Sequence, residues 1–170
     1  MDCQRTDYHV HPNYSIDASS SSMREYCKRA LELNLREICF TTHVELDPLR
    51  SDNLVRLNGE NVWDLDLRWL DCYFEEIAKA REEFKGTGLE IKAGLEVGYS
   101  LGCEKHVEKM TGSYPFDYVM GAIHCLDHIA ISGKSESPLY FQNKSLDELR
   151  TAYFGILGEM VGSGLFDSVA

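Results

Sequence analysis

The chain has 170 residues and a mass of 19.3 kDa, a size that predicts one domain covering residues 1–170. Hydrophobic residues make up 44% of it and charged residues 26%, a balance that excludes a disordered chain. Seventeen basic against 28 acidic residues give a net charge of −11, which disfavours nucleic-acid or anionic-membrane partners but not a small phosphate ester held by metal ions.

Nothing in the sequence predicts a membrane or export signal. No apolar run approaches the ~18–20 residues that a membrane span needs. The first residues, Met1 to Arg5, lack the apolar stretch of a signal peptide. The six cysteines form no C-x-x-C pair, so we expect reduced, buried thiols and a cytoplasmic location.

Taken in chain order, strands and helices alternate. Strands are predicted over 6–11, 37–43, 90–99 and 116–124, and 166–170 reads as the opening of a fifth. Helices are predicted from the capping box at Ser22 to about residue 34, over 63–84 and 104–110, and from a second capping box at Ser145 to about residue 161. Residues 44–61 are predicted to be a polar loop, and an irregular stretch precedes Ser145. The alternation indicates parallel strands joined by right-handed crossovers.

The candidate metal ligands begin with two histidines on the first strand. His9 and His11 are one residue apart, so the two-residue period of a strand places both imidazoles on one face. Such a pair can bind one metal ion or two adjacent ions. The spacing alone leaves open that they are two unrelated polar residues near a strand end.

Three later strands each bring one more ligand type towards the same edge. His43 closes the second strand, Glu96 lies late in the third, and His124 closes the fourth. The carboxyl ends of parallel strands meet at one rim, where ligands bind. Nitrogen and carboxylate ligands without thiolates suit Zn²⁺, Mn²⁺ or Fe and do not decide among them.

Four further residues are weaker candidates for the site. Asp17 follows the histidine pair and can fold back over the rim, although a turn aspartate is the commoner role. Glu45 lies two residues after His43 and can face the site, although a solvated loop carboxylate is the commoner role. His106 is expected to be a helix-surface residue. His128, on the loop after the fourth strand, is a candidate contact for a substrate phosphate.

Four motifs together resemble the polymerase and histidinol phosphatase (PHP) superfamily of phosphoesterases, most closely its histidinol-phosphatase type. They are Asp7-Tyr8-His9-Val10-His11-Pro12, Phe40-Thr41-Thr42-His43, Ala93-Gly94-Leu95-Glu96-Val97 and Asp117-Tyr118-Val119-Met120-Gly121-Ala122-Ile123-His124. The resemblance implies a distorted (β/α)7 barrel with two or three divalent ions. It implies that His9, His11, Glu96 and His124 form the catalytic pair of metal sites, with Glu96 bridging. His43 and Asp17 would help to hold a third ion.

The same resemblance implies hydrolysis of L-histidinol phosphate to L-histidinol and phosphate in histidine biosynthesis. The acidic charge of the chain suits a cationic amino-alcohol phosphate, whose amine Glu45 or Asp47 would face. Two alternatives stay open: another PHP phosphoesterase or nuclease acting on a small phosphorylated metabolite or nucleotide, and an inactive metal-binding remnant. A panel of phosphorylated metabolites would separate the first alternative, and metal analysis combined with activity assays the second.

The family pattern continues with an Asp-x-His motif after a strand that begins Phe-Asp, whereas here the sequence ends with Phe166-Asp167-Ser168-Val169-Ala170. We therefore expect an incomplete barrel with about five of seven strands, lacking the last ligand motif. An unclosed parallel sheet has unpaired edges. This predicts low stability or self-association for the 170-residue chain, and little phosphatase activity.

Overall fold

The computed structural model describes residues 5–170. The predictions made for Met1 to Gln4, including the reduced thiol of Cys3, concern residues outside this range. Within it, no helix combines the length and the apolar character that a membrane span requires.

Strands and helices follow one another in the predicted order, with several short additions. The strands are β1 (Arg5–Val10), β2 (Leu35–Glu45), β3 (Leu54–Leu57), β4 (Glu60–Trp63), β5 (Glu90–Gly98), β6 (Tyr118–Ala122), β7 (Cys125–Leu126), β8 (Ile129–Ala130) and β9 (Ser168–Val169). The helices are α1 (Met23–Glu32), α2 (Arg68–Glu83), α3 (Glu104–Ser113), α4 (Ser137–Phe141) and α5 (Leu146–Ser163).

Five of the strands form one parallel sheet in the order β1-β2-β5-β6-β9. This confirms the parallel alternation and the five main strands that the sequence predicts. It is consistent with part of a distorted α/β barrel. The β2–β5 register places His43 directly beside Glu96 and Glu45 beside Gly98, so two ligand-bearing strands end side by side.

The core lies between this sheet and the helices, because alternate strand positions carry apolar side chains. Val10 of β1, Phe40 of β2 and Leu95 of β5 belong to one buried cluster with residues of α1 and α2. The Tyr73 hydroxyl of α2 donates to the Phe40 carbonyl at 2.6 Å and accepts from the Gly94 amide at 2.9 Å. This side chain therefore joins α2 to the two central strands.

Both predicted capping boxes are present. At α1 the Ser22 hydroxyl accepts from the Glu25 amide, and the Glu25 carboxylate accepts from the Ser22 amide; Ser145 and Glu148 do the same at α5. Each box satisfies two backbone donors that would otherwise lack partners at the helix start.

The predicted loop over 44–61 is wrong, because most of its second half forms the β3–β4 hairpin. The turn of this hairpin is Asn58-Gly59, both with positive φ, and Asn-Gly is the strongest short hairpin signal. Trp63 consequently ends β4, and α2 begins at Arg68 instead of at the predicted residue 63. The irregular stretch likewise contains the β7–β8 hairpin and the short helix α4.

The strand ends also differ from the predicted ones. β1 ends at Val10 and β6 at Ala122, so His11 and His124 lie just beyond their strands rather than within them. β2 runs two residues further than predicted and ends at Glu45. Glu45 is therefore a strand residue with a fixed direction, and this changes its role at the rim.

Candidate metal centre

Side chains of β1, of the residue that follows it and of β5 meet at the carboxyl end of the sheet. The Nε2 atoms of His9 and His11 are 3.2 Å apart, which confirms that the pair shares one side of the strand. Oε2 of Glu96 lies 3.3 Å from His9 Nε2 and 2.6 Å from His11 Nε2. Only 3% of the Glu96 side chain is exposed, so this carboxylate is almost fully desolvated.

A second group forms around Asp17, in the loop after β1. The Asp17 carboxylate lies 3.1 Å from Nδ1 of His11 and 3.3 Å from Nδ1 of His43. Asp17 lies in a turn, and its carboxylate folds back over the rim towards both histidines. These three side chains offer ligand atoms within 4.8 Å of one another.

A third group lies on the far side of Glu96. Nε2 of His124 is 3.3 Å from Oε1 of Glu96, so the two oxygens of this carboxylate face different histidines. Nδ1 of His124 lies 3.0 Å from Nε2 of His43 and 3.2 Å from Oε2 of Glu45. Glu96 is the central side chain of the centre, because it contacts His9, His11 and His124.

The carboxylates and imidazoles of the centre shift one another's pKa values. Burial acts to raise the pKa of Glu96, but its close contacts with the imidazoles of His11 and His124 outweigh it and hold that pKa well below its usual range. Asp17 is shifted in the same direction by His11 and His43 against the effect of burial. Burial acts to lower the pKa of the histidines, yet their carboxylate partners raise it to about 9 at His11 and at His124.

The geometry fits a divalent metal ion. In a tetrahedral zinc site with bonds of about 2.0–2.2 Å, neighbouring ligand atoms lie about 3.4 Å apart, close to most of the distances above. Buried Oε2 of Glu96 has no hydrogen-bond partner of acceptable geometry, despite its short distance to His11. A buried oxygen without a partner costs about 1–3 kcal/mol unless something else binds it, and a cation would satisfy it. The nitrogen and carboxylate donors suit Zn²⁺, Mn²⁺ or Fe.

The comparison with protein-family models settles the family. Residues 7–167 match the model of the PHP domain. The chain belongs to the PHP domain family. This confirms the family that the four sequence motifs indicate.

Known relatives of this PHP domain are histidinol-phosphatases. A protein of Deinococcus radiodurans named as a probable histidinol-phosphatase is 31% identical over 163 residues, which are 96% of this chain and 58% of the relative. A histidinol-phosphatase of Lactococcus lactis is 29% identical over 150 residues, covering 88% of this chain and 49% of the relative. The chain spans about half the length of the curated relatives it matches.

A solved structure shares the fold. The crystal structure of a histidinol phosphate phosphatase from Lactococcus lactis, complexed with zinc, L-histidinol and phosphate, superposes with a TM-score of 0.74. The sequences are 28% identical, and the match covers 94% of this chain and 54% of that one.

Glu45 of this PHP domain is not the solvated loop carboxylate that the sequence suggested. It ends β2 and its side chain is only 12% exposed, because alternation along the strand points it to the same side as His43. The His-x-Glu spacing, which repeats the two-residue spacing of His9 and His11, is the sequence signal for this position. His106 is exposed on α3, as predicted.

The other two candidates near the rim form a separate pair. Nδ1 of His128 lies 2.7 Å from the buried carboxylate of Asp47, which also accepts from the Leu49 amide at 3.0 Å. Asp47 is thus occupied by His128, and no contact places it beside the metal-ligand candidates. The expected contact of His128 with a phosphate stays a prediction.

Sequence reasoning also missed Arg50, which joins the two loops beside the centre. Its guanidinium donates to Asp52, to Glu136 and to the His128 carbonyl, so each of its nitrogens has at least one acceptor. A cavity of about 130 Å³ adjoins it, lined by residues that include His43, Glu45, Asp52 and His124. Arg50 is thus paired with the two carboxylates of Asp52 and Glu136.

Proposed function

We propose that the chain is a metal-dependent phosphomonoesterase that hydrolyses L-histidinol phosphate to L-histidinol and phosphate. The observation that carries the proposal is the position of Glu96, which contacts His9, His11 and His124 at the carboxyl end of a PHP sheet. The printed names of the relatives, and the zinc, L-histidinol and phosphate of the Lactococcus lactis structure, support the same activity and substrate.

His9, His11 and Glu96 would hold one divalent ion, and Glu96 with His124 a second, so that Glu96 bridges the two. Asp17 and His43 would contribute to a third. Such ions supply the positive charge that polarises a phosphoryl oxygen and neutralises the leaving alkoxide. Two or three ions of Zn, Mn or Fe suit these donors.

The chain's own residues prepare the site for that charge. The carboxylates of Asp17 and Glu96 stay ionised because their histidine partners hold their pKa values low. Two negative charges at one rim therefore balance part of the charge on the ions. The arrangement also fixes the direction of each imidazole before substrate arrives.

The cavity beside His43 and His124 offers carboxylates that the cationic amine of the leaving group would face. Glu45 and Asp52 line it, and its arginine is already paired with Asp52 and Glu136. An amino-alcohol phosphate such as histidinol phosphate carries such a cation. The net charge of −11 disfavours a nucleic acid or a membrane as the partner.

We infer the pathway, the location and the domain organisation from the same activity. The activity would serve histidine biosynthesis in the cytoplasm, carried by a single PHP domain over residues 1–170. The exposed apolar side chains of α5 make self-association an expected property of the isolated chain.

The test is phosphate release from L-histidinol phosphate by the chain reconstituted with Zn²⁺ or Mn²⁺. We expect release at a low rate from this 170-residue chain, which the His9→Ala, His11→Ala double variant loses and the exposed matched control His106→Ala retains. A panel with a mononucleotide and other phosphate monoesters defines the substrate. Faster release from another monoester would overturn the substrate, and full metal content without any release would overturn the activity.

A further inference from the structure

Glu45 lies beside the proposed metal ligands but has no role in the assignment of ligands given above. Its side chain is largely buried, and its Oε2 lies 3.2 Å from Nδ1 of His124 and 3.7 Å from Nε2 of His43. Its backbone amide donates to the buried carboxylate of Asp64 at 3.1 Å. The backbone and the side chain of Glu45 are therefore both held in place at the end of β2.

The two nitrogens of each neighbouring imidazole face different carboxylates. His124 turns Nε2 towards Glu96 and Nδ1 towards Glu45. His43 turns Nδ1 towards Asp17, and its Nε2 is the nitrogen nearer to Glu45. The nitrogens that point away from the central carboxylates thus converge on Glu45.

We propose that Glu45 is a positioning residue that accepts a hydrogen bond from Nδ1–H of His124. In the neutral imidazole that binds a metal ion, this bond fixes the tautomer, so that Nε2 keeps its lone pair on the side of Glu96. Histidines that bind metals usually donate their other ring N–H to such an acceptor, which orients the ring and increases its basicity. The inference rests on the metal role proposed above for His124.

Gly98 provides the space for this carboxylate. It pairs with Glu45 across the β2–β5 register, and a Cβ built on it would lie 2.3 Å from both Glu45 oxygens. Gly98 is not among the glycines with positive φ, so its backbone conformation is open to alanine. Its lack of a side chain is needed for space alone, and Gly98→Ala should act by displacing Glu45.

A competing role for Glu45 is direct binding of an ion. Its Oε1 is buried without a hydrogen-bond partner, and Glu45, His43 and His124 together offer ligand atoms within 4.8 Å. Replacement by glutamine separates the two roles. The amide oxygen of glutamine still accepts from Nδ1–H of His124, but it lacks the charge that a metal ligand supplies.

The experiment measures Zn²⁺ affinity and stoichiometry by competition with a chromophoric chelator. The proteins are the full chain, Glu45→Ala, Glu45→Gln, Gly98→Ala, the Gly98→Ala, Glu45→Ala double variant, and the control Gly112→Ala, whose new Cβ meets open space. We expect Glu45→Ala and Gly98→Ala to weaken binding about 10–100-fold with the number of ions unchanged. Glu45→Gln should recover most of the affinity, and the double variant should bind like Glu45→Ala.

Several outcomes overturn the proposal. Loss of one ion per chain in Glu45→Gln, as in Glu45→Ala, would make Glu45 a ligand instead. Unchanged affinity in Glu45→Ala would remove its role, and additive effects in the double variant would show that Gly98 acts elsewhere. Thermal unfolding of the zinc-free proteins checks the fold, and the two Glu45 variants decide the question even if Gly98→Ala does not fold.

Because no substrate is present, this experiment separates the inference from the proposed activity. Normal zinc binding that depends on Glu45, together with absence of phosphate release, would overturn the activity alone. Zinc binding that is independent of Glu45 would overturn the inference alone, and failure of the full chain to bind zinc would overturn both.

Discussion

The rim of the central strands and the β9–α5 edge are built in opposite ways. At the rim, β2 and β5 pair without interruption from Glu37 and Glu90 to Glu45 and Gly98. At the edge, the β6–β9 register is limited to Met120 with Ser168 and Gly121 with Val169. The rim buries charged groups against one another, whereas α5 exposes the apolar side chains of Leu146, Phe154 and Val161.

The difference indicates where the chain has its rigidity. A ligand cluster needs side chains fixed to within about 0.5 Å, and long paired strands with buried hydrogen bonds provide this. Elements with few buried contacts open more readily. Within the described residues of α5, Met160 is the one that is buried. We therefore expect local opening at the edge while the rim stays ordered.

The largest expected effect follows from changing the central carboxylate of the rim. Glu96→Gln keeps the shape of the side chain but removes the charge that balances two cations. We expect metal affinity to fall by more than about 100-fold, beyond the range typical of residues outside the ligand set. Metal analysis after dialysis measures it, with the exposed α3 variant Glu108→Gln as control. Metal content equal to that of the unmodified chain would refute the bridging role.

The second-largest expected effect follows from removing the Tyr73 hydroxyl, which makes a buried contact at the centre of the sheet. Tyr73→Phe leaves the Gly94 amide without its hydroxyl partner and should lower the free energy of unfolding by about 1–3 kcal/mol. Urea denaturation of the metal-free protein measures the change. A change of no more than about 0.5 kcal/mol, the size expected for an exposed residue, would contradict the stabilising role assigned to this contact.

The pH dependence of the metal-free protein provides a third test. The pKa of His11 and of His124 is raised to about 9 in the folded protein. Their contribution to the free energy of unfolding is therefore complete below pH 6.5 and is lost as the pH rises through about 9. The lowered pKa of Glu45, about 2, gives a contribution that is present above pH 4.5 and lost as the pH falls.

The free energy of unfolding with chelator present should therefore be highest between about pH 5 and 6.5. We expect it to be lower at pH 9 by on the order of 1 kcal/mol. Urea titrations at pH 6 and pH 9 measure this, with the His11→Ala variant as a control that should respond less. Equal stability at both pH values would contradict the ion pairing at the rim.

The smallest expected effect concerns the edge. Phe154 is 62% exposed on α5, so Phe154→Gln should change the free energy of unfolding by no more than about 0.5 kcal/mol. The same substitution should reduce any self-association, because it removes part of the apolar surface. Denaturation and sedimentation measure the two effects. A loss of stability comparable to that of Tyr73→Phe would show that the edge is as tightly packed as the rim.

Sequence reasoning located the main elements of the fold because periodicity and capping are local properties. The parallel strands, both capping boxes and the convergence of His9, His11, Glu96 and His124 followed from it. The β3–β4 hairpin was missed although Asn58-Gly59 signalled its turn, since charges in the segment suggested a loop.

The role of Glu45 could not be predicted in the same way. It depends on the end of β2 and on the room above Gly98, which lies on another strand. The Arg50 network joins positions 86 residues apart, a distance that no local pattern spans.

The most direct test of the metal centre is the number of ions bound per chain at equilibrium with Zn²⁺. Our account predicts two or three ions for the unmodified chain, and at least one fewer for the His9→Ala, His11→Ala double variant. His106→Ala should bind as many as the unmodified chain. Fewer than two ions in the unmodified chain, or the same number in the double variant, would contradict the account.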